Sequence, residues 1–242
     1  MKSIKPVLLT CALLVCTLFC TAKPKILVFS KTAKFHHQSI PAGITAIIKL
    51  GQENNFDVDT TTNADNFTTD NLKQYAAVVF LNTTGDVLNN TQQTAFEKYI
   101  KANGGFAGVH AATDTEYDWP WYGKLVGAYF KSHPSKNQFA NLQVIDRSFI
   151  ATKHLPAIWH RLDEWYNFKW LSPDLKVLIR IDEHSYSGGQ SDGLHPMSWY
   201  HDFDGGRSFY TALGHTDESY TDPLFLQHLL GGIQYAIGTR TS

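Results

Sequence analysis

Gly104-Gly105-Phe106-Ala107-Gly108-Val109-His110-Ala111-Ala112-Thr113-Asp114 is the stretch on which the fold turns. A short apolar run follows a glycine pair and meets a histidine flanked by small residues. It predicts a buried strand over 106–109 that runs into a sharp turn at His110. This is the setting of a nucleophile elbow, which holds one side chain exposed at the edge of a sheet. Here the elbow residue is an imidazole, able to serve as general base, acid or metal ligand. The blander alternative is a histidine that caps a loop.

Upstream, residues 76–81 (AAVVFL) and 26–29 (ILVF) are apolar throughout and 56–59 alternates, so each predicts a strand. Residues 40–50 carry apolar side chains at 40, 44, 47, 48 and 50, a helical stripe with Ser39 available as cap and Pro41 in the first turn. A second helix runs from Asn90 through Phe96, Tyr99 and Ile100 to a glycine C-cap at Asn103-Gly104. Apolar strands alternating with helices predict an α/β fold, a doubly wound, mostly parallel sheet covered on both faces. Sites in such sheets gather at the carboxyl ends of the strands. That rule selects residues 30–37, 82–86 and 110–114. Downstream, 142–145, 177–181, 197–200 and 209–213 read as further strands joined by long loops rich in Gly, Asp and His. Asp222-Pro223 starts a closing helix through Leu226, Leu229, Leu230, Ile233 and Ile237. With no internal repeat or linker, residues 23–242 are read as one domain with elaborated loops in its C-terminal half.

The chain begins with Lys2 and Lys5, an apolar run from Val7 to Phe19, and Cys20-Thr21-Ala22. This predicts a signal peptide over 1–22 and an exported protein, periplasmic or extracellular, with no stable membrane span. The three cysteines, Cys11, Cys16 and Cys20, all fall in that segment, so the mature chain has no disulfide and no thiol nucleophile. Acylation of Cys20 is the alternative fate of the leader. Without its two lysines, 19 basic residues face 22 acidic ones, a formal charge of −3. No basic face suits nucleic acid, and neither export nor charge fits transcriptional regulation. No GxGxxG loop follows the first strand, which argues against a dinucleotide-dependent oxidoreductase. The oligomeric state is not legible.

Further chemistry-bearing segments follow in order. They are Thr32-Ala33-Lys34-Phe35-His36-His37-Gln38-Ser39-Ile40, Gly127-Ala128-Tyr129-Phe130-Lys131-Ser132-His133-Pro134 and Leu162-Asp163-Glu164-Trp165-Tyr166. Near the end come Pro196-Met197-Ser198-Trp199-Tyr200-His201, Gly205-Gly206-Arg207-Ser208 and Leu213-Gly214-His215. None is a compact metal motif. Together, in this order and spacing, they resemble the ThuA-like family, named for trehalose utilisation. The strongest signatures are Gly-Gly-x-x-Gly-x-His ending at His110, G-A-x-F-x-x-H-P ending at Pro134, and Gly-Arg…Leu-Gly-His ending at His215. The likeness spans the whole mature chain. It implies a flavodoxin-like fold similar to class I glutamine amidotransferases. In those enzymes the elbow carries a cysteine; here it carries His110, which excludes glutaminase chemistry.

The resemblance implies a role in carbohydrate utilisation, with a small-molecule carbohydrate as partner. An enzyme acting on a sugar, glycoside or keto-sugar needs an acid and a base with separated pKa values, which His110, His215 and Glu164 can supply. His37, Asp114, His133, Trp199 and Arg207 are the expected substrate-binding residues. Tyr117, Trp119, Trp121 and Trp165 also suit a pyranose face, although core packing accounts for most such aromatics. The alternative is a non-catalytic sugar-binding or accessory protein using the same cleft. A divalent metal such as zinc, held by His37, His110, Glu164 and His215, would replace the missing thiol as activator. Histidines hydrogen-bonded to sugar hydroxyls need no metal.

Overall fold

The computed structural model describes residues 23–191 and 193–238. The expected signal peptide, the three cysteines and the acylation alternative at Cys20 lie outside the described residues. The N-terminal half alternates as its apolar runs predict: β1 (Lys25–Phe29), α1 (Ile40–Glu53), β2 (Asp57–Thr61), a short α2 (Thr69–Leu72), β3 (Ala77–Leu81), α3 (Asn90–Lys101) and β4 (Gly105–Val109). Then follow α4 (Pro120–Val126), β5 (Ala128–Ser132), β6 (Gln138–Val144), β7 (Ile158–Asp163), β8 (Asn167–Leu171), β9 (Lys176–Ile181), β10 (Pro196–Phe203), β11 (Gly206–Thr211) and α5 (Pro223–Ile237).

Nine strands form one sheet in the order β2-β1-β3-β4-β11-β10-β9-β6-β7, and β5 pairs with β8 in a separate ribbon. The block β2-β1-β3-β4-β11 is wholly parallel, the flavodoxin-like order with β11 as fifth strand. Beyond it the pairings are antiparallel, so β10 and β6 run against the other strands of the sheet. β1, β3 and β4 are buried almost throughout because helices cover both faces. Phe96 of α3 packs on Phe80 and Phe106, while α5 presses Gly232 against Phe209 on the opposite face. Among the described residues no helix is long and apolar enough to cross a membrane.

Two local expectations are corrected. Ser39 does not cap α1 through its side chain; its hydroxyl accepts from Asn82 Nδ2 at 3.1 Å and donates to the Gly214 carbonyl at 3.4 Å, tying three strand-end loops together. At the end of α3 the left-handed residue is Asn103, φ 72°, not Gly104. Gly104 is needed for space, since a Cβ there would lie 2.6 Å from the Tyr99 ring.

Candidate functional site

The turn after β4 is the elbow the sequence predicts. His110 has φ 49°, a left-handed conformation that costs a non-glycine residue energy and that histidine adopts more readily than most. Gly108 makes room for it, because a Cβ there would meet the Tyr210 ring at 3.0 Å and Ala112 Cβ at 3.1 Å. The expected exposure is corrected: His110 is fully buried. The Ala212 carbonyl, just past β11, lies 2.8 Å from its Nδ1 and accepts a hydrogen bond from it. That bond places a proton on Nδ1 and turns Nε2 toward the rest of the site.

What Nε2 faces is a carboxylate and a second imidazole. Glu164 Oε2 is 3.4 Å away and His215 Nδ1 is 3.2 Å away, while Glu164 Oε2 and His215 Nδ1 are 3.3 Å apart. His37, from the loop after β1, completes the group, its ring centroid 4.9 Å from that of His110 and 5.4 Å from that of His215. One ligand atom from each of His37, His110, Glu164 and His215 lies within 4.8 Å of the others. They come from the ends of β1, β4, β7 and β11, strands that run in one direction, so four separate loops converge on one rim.

Asp163 holds two of these loops in register. It is fully buried. Its Oδ1 accepts from the backbone N–H of Glu164 at 3.0 Å and of His215 at 3.1 Å, and its Oδ2 accepts from Gly214 N–H at 3.1 Å. Arg161 closes the set, 3.0 Å from the same Oδ2 and 2.8 Å from Ser219 Oγ. These bonds bring β7, last in the sheet order, back against the end of β11. They therefore place Glu164 beside two histidines far from it in sequence.

The electrostatics follow from burial and proximity. Burial works to raise the Glu164 carboxyl, but the hydrogen bonds from His110 and His215 prevail and hold it well below the usual carboxylate range. Burial works to lower His215, yet its bond to Glu164 raises it. His37 is pushed down to about 2 by burial, with the charges of His110 and His215 adding to the effect. It stands as a neutral imidazole, and its buried Nδ1 finds no hydrogen-bond partner among the described residues.

Other expected residues divide sharply. His133, after β5, joins the group from outside: its Nδ1 lies 3.2 Å from Glu164 Oε1, the oxygen turned away from His110. Asp114 ends the turn that His110 begins and accepts from the Tyr117 hydroxyl at 2.7 Å, outside the quartet. Two placements are corrected. Arg207 sits at the start of β11, opposite Gly105, and bonds the carbonyls of Ala236 at 3.1 Å and Asn103 at 2.9 Å, at the far end of the sheet. Trp199 is fully buried, its Nε1 donating to the Val126 carbonyl at 2.9 Å and its ring 4.5 Å from Tyr210. Trp119 and Trp165 are likewise core.

Sequence reasoning missed Asp163, although it adjoins Glu164, and missed Tyr166, whose ring centroid lies 4.3 Å from that of His110. It also missed Glu183 and His195, which carry no motif.

No curated protein matches the chain. Among solved structures, a ThuA-like protein of Bacteroides uniformis superposes with a TM-score of 0.76 at 24% identity, covering 91% of this chain and 95% of that one. A ThuA-like protein of Parabacteroides merdae gives 0.69 at 21% identity, over 91% and 93% of the two chains. A β-galactosidase from Bacillus circulans sp. alkalophilus gives 0.57 at 13% identity, over 90% of this chain but 31% of its own. These likenesses establish a shared fold. The family described as ThuA, trehalose utilisation, matches residues 25–236. By that match the chain belongs to the ThuA family.

Proposed function

We propose that this chain is an exported protein of carbohydrate utilisation whose rim cluster holds a divalent metal, zinc foremost. It acts there on a sugar, glycoside or keto-sugar derivative by histidine and carboxylate acid–base chemistry. The observation that carries the metal reading is the convergence of four ligand atoms, one each from His37, His110, Glu164 and His215, within 4.8 Å of one another. The Ala212 carbonyl accepts from Nδ1 of His110, so Nε2 is the ring atom turned toward Glu164 Oε2 and His215. Three imidazoles and one carboxylate suit zinc, and the unpartnered His37 Nδ1 fits the same account. A metal so held would polarise a sugar carbonyl or lower the pKa of bound water.

The remaining steps fall to side chains of this chain. Oε2 of Glu164 faces the inner histidines and Oε1 faces His133, whose side chain is 40% exposed. His133 can therefore pass protons between solvent and the site. A proton taken from carbon beside a sugar carbonyl, or given to a glycosidic oxygen, would travel by that route. Elemental analysis of tag-free protein purified without chelators tests the metal, and stoichiometric zinc or another divalent ion is the expected result. Absence of metal, with turnover unchanged after chelation, would sink the metal reading. Assays on glucosides and 3-keto-glucosides test the chemistry. Sugar binding with no turnover across that panel would favour the accessory protein.

A further inference from the structure

Beside the quartet, between the loop after β1 and the loop after β11, lies an open cleft of about 510 Å³ lined by Phe35, Gln38, Asn137, Thr216, Asp217 and Glu218 and reaching His37 and His215. Its size falls within the range of small-molecule sites, about 300–1,000 Å³. Phe35 is 62% exposed. Isolated exposed apolar side chains are ordinary, but this one is held in place. The Phe35 carbonyl accepts from Thr84 Oγ1 at 2.8 Å, and Ala33 N–H donates to the Thr84 carbonyl at 2.7 Å. The ring meets His37 edge-on, with centroids 4.8 Å apart at 81°. A rigid loop thus holds a bare aromatic ring at the lip of the cleft, next to a member of the quartet.

The rest of the lining is hydroxyl, amide and carboxylate with the imidazole of His36, and there is no lysine or arginine in it. Amides and carboxylates that ring one aromatic surface match a polyol with an apolar C–H face. A phosphate or carboxylate on the part of the ligand that lies away from the quartet would meet Asp217 and Glu218 with no lysine or arginine beside them to answer it. We infer that this cleft binds a neutral, unphosphorylated sugar, stacked on Phe35 and hydrogen-bonded by Gln38, Asn137, Asp217 and Glu218, with its reacting end directed at His37 and His215. The inference rests on the rim quartet as the reactive centre and names the substrate class that the centre takes.

The test is calorimetric titration of the full mature protein with trehalose and methyl glucoside as neutral probes and trehalose 6-phosphate as the anionic one. Metal content is measured on the same samples. The neutral probes are expected to bind and the phosphate ester to bind about tenfold more weakly or less. Phe35→Ala should weaken the neutral probes by about tenfold, the scale of one lost stacking contact, with metal content unchanged. Phe35→Tyr should restore them. The doubly substituted Asp217→Asn, Glu218→Gln protein should narrow the gap between ester and parent sugar. No binding of either neutral probe, equal binding of the ester, or full affinity in Phe35→Ala would overturn the inference. Sugar binding that depends on Phe35 in a protein shown to hold no metal would uphold the cleft while removing the metal from the reading on which it rests.

Discussion

His195 Nδ1 lies 2.7 Å from Glu183 Oε1, and its other ring nitrogen, Nε2, lies 2.7 Å from the carbonyl of Tyr166. The imidazole is buried and spans two acceptors. It thereby fixes the backbone of Tyr166, whose ring packs on His110 and whose chain position is two residues past Glu164. A second imidazole–carboxylate pair thus supports the rim cluster from behind.

Replacing His195 with Phe would leave the Tyr166 carbonyl and the Glu183 carboxylate without this donor. An unmade buried hydrogen bond costs about 1–3 kcal/mol, and each kcal/mol lowers the melting temperature of a domain this size by roughly 2–4 °C. Glu183→Gln, which keeps an acceptor toward Nδ1, should cost less. Thermal unfolding of the two variants checks the order, and a His195→Phe protein that melts with the wild type would refute it.

Asp163→Asn is expected to damage stability and site together. An amide offers one acceptor oxygen where the carboxylate uses two to collect three backbone N–H groups and Arg161. Its NH₂ would face donors, and the Arg161 charge would lose its buried counter-ion. Breaking such a pair costs about 3–5 kcal/mol. Mispositioned Glu164 and His215 should also weaken metal by about 10–100-fold, the usual range for losing an outer-shell partner. Urea unfolding and chelator competition measure the two effects separately. Wild-type metal affinity in a clearly destabilised variant would show that Asp163 supports the fold alone.

The acid arm of the stability curve should carry a contribution from His228. This residue is fully buried in α5, its Nδ1 2.8 Å from the Ala151 carbonyl and its Nε2 3.2 Å from Thr211 Oγ1. Burial pushes its pKa down to about 3, against a hydrogen bond to Ala151 that works the other way. The unfolded chain binds the proton at its ordinary value, about 6.5. Between those limits the unfolded state holds more protons, so stability rises with pH across the window. The contribution is complete above about pH 6.5 and is lost as pH falls toward 3. His228→Gln should be less stable at neutral pH, with a shallower decline between pH 6 and 4. Parallel curves for the two proteins across that interval would be the contrary result.

The parallel half of the fold was legible because strands buried on both faces are apolar without interruption, as in ILVF and AVVFL. β7 was hidden for the opposite reason. It points Arg161 and Asp163 inward and leaves Ile158 and Leu162 exposed, so its alternation reads backwards. The rim histidines were accessible through the strand-end rule, since each follows a strand at its carboxyl end. Arg207 misled because it shares a motif with His215, yet it is the second residue of β11 while His215 follows the end of that strand. At about 3.3 Å per residue the four steps from Arg207 to Thr211 alone put roughly 13 Å between them. Trp199 misled because an aromatic near a motif looks the same in sequence whether it faces a cleft or the core.

The metal reading makes its sharpest demand at His110 and Glu164. His110→Ala is a poor probe, because the side chain is fully buried and the backbone there sits at φ 49°. Alanine would leave a cavity, orphan the Ala212 carbonyl and occupy a conformation it disfavours. Asparagine tolerates the left-handed region, keeps an amide donor for Ala212, and removes the Nε2 lone pair. His110→Asn should therefore fold, at a cost of about 1–3 kcal/mol, while losing metal. Glu164→Gln should also fold, since Glu164 lies at the rim and Asp163 rather than its own carboxylate anchors the loop. Both variants should weaken zinc by more than about 100-fold, beyond what an outer-shell loss produces. His133→Gln, at a residue that meets the quartet at the outer oxygen of Glu164, should keep the metal and lose proton transfer. If His110→Asn and Glu164→Gln both retain stoichiometric zinc while remaining folded by circular dichroism, the ion is held elsewhere and the quartet is a hydrogen-bonded cluster.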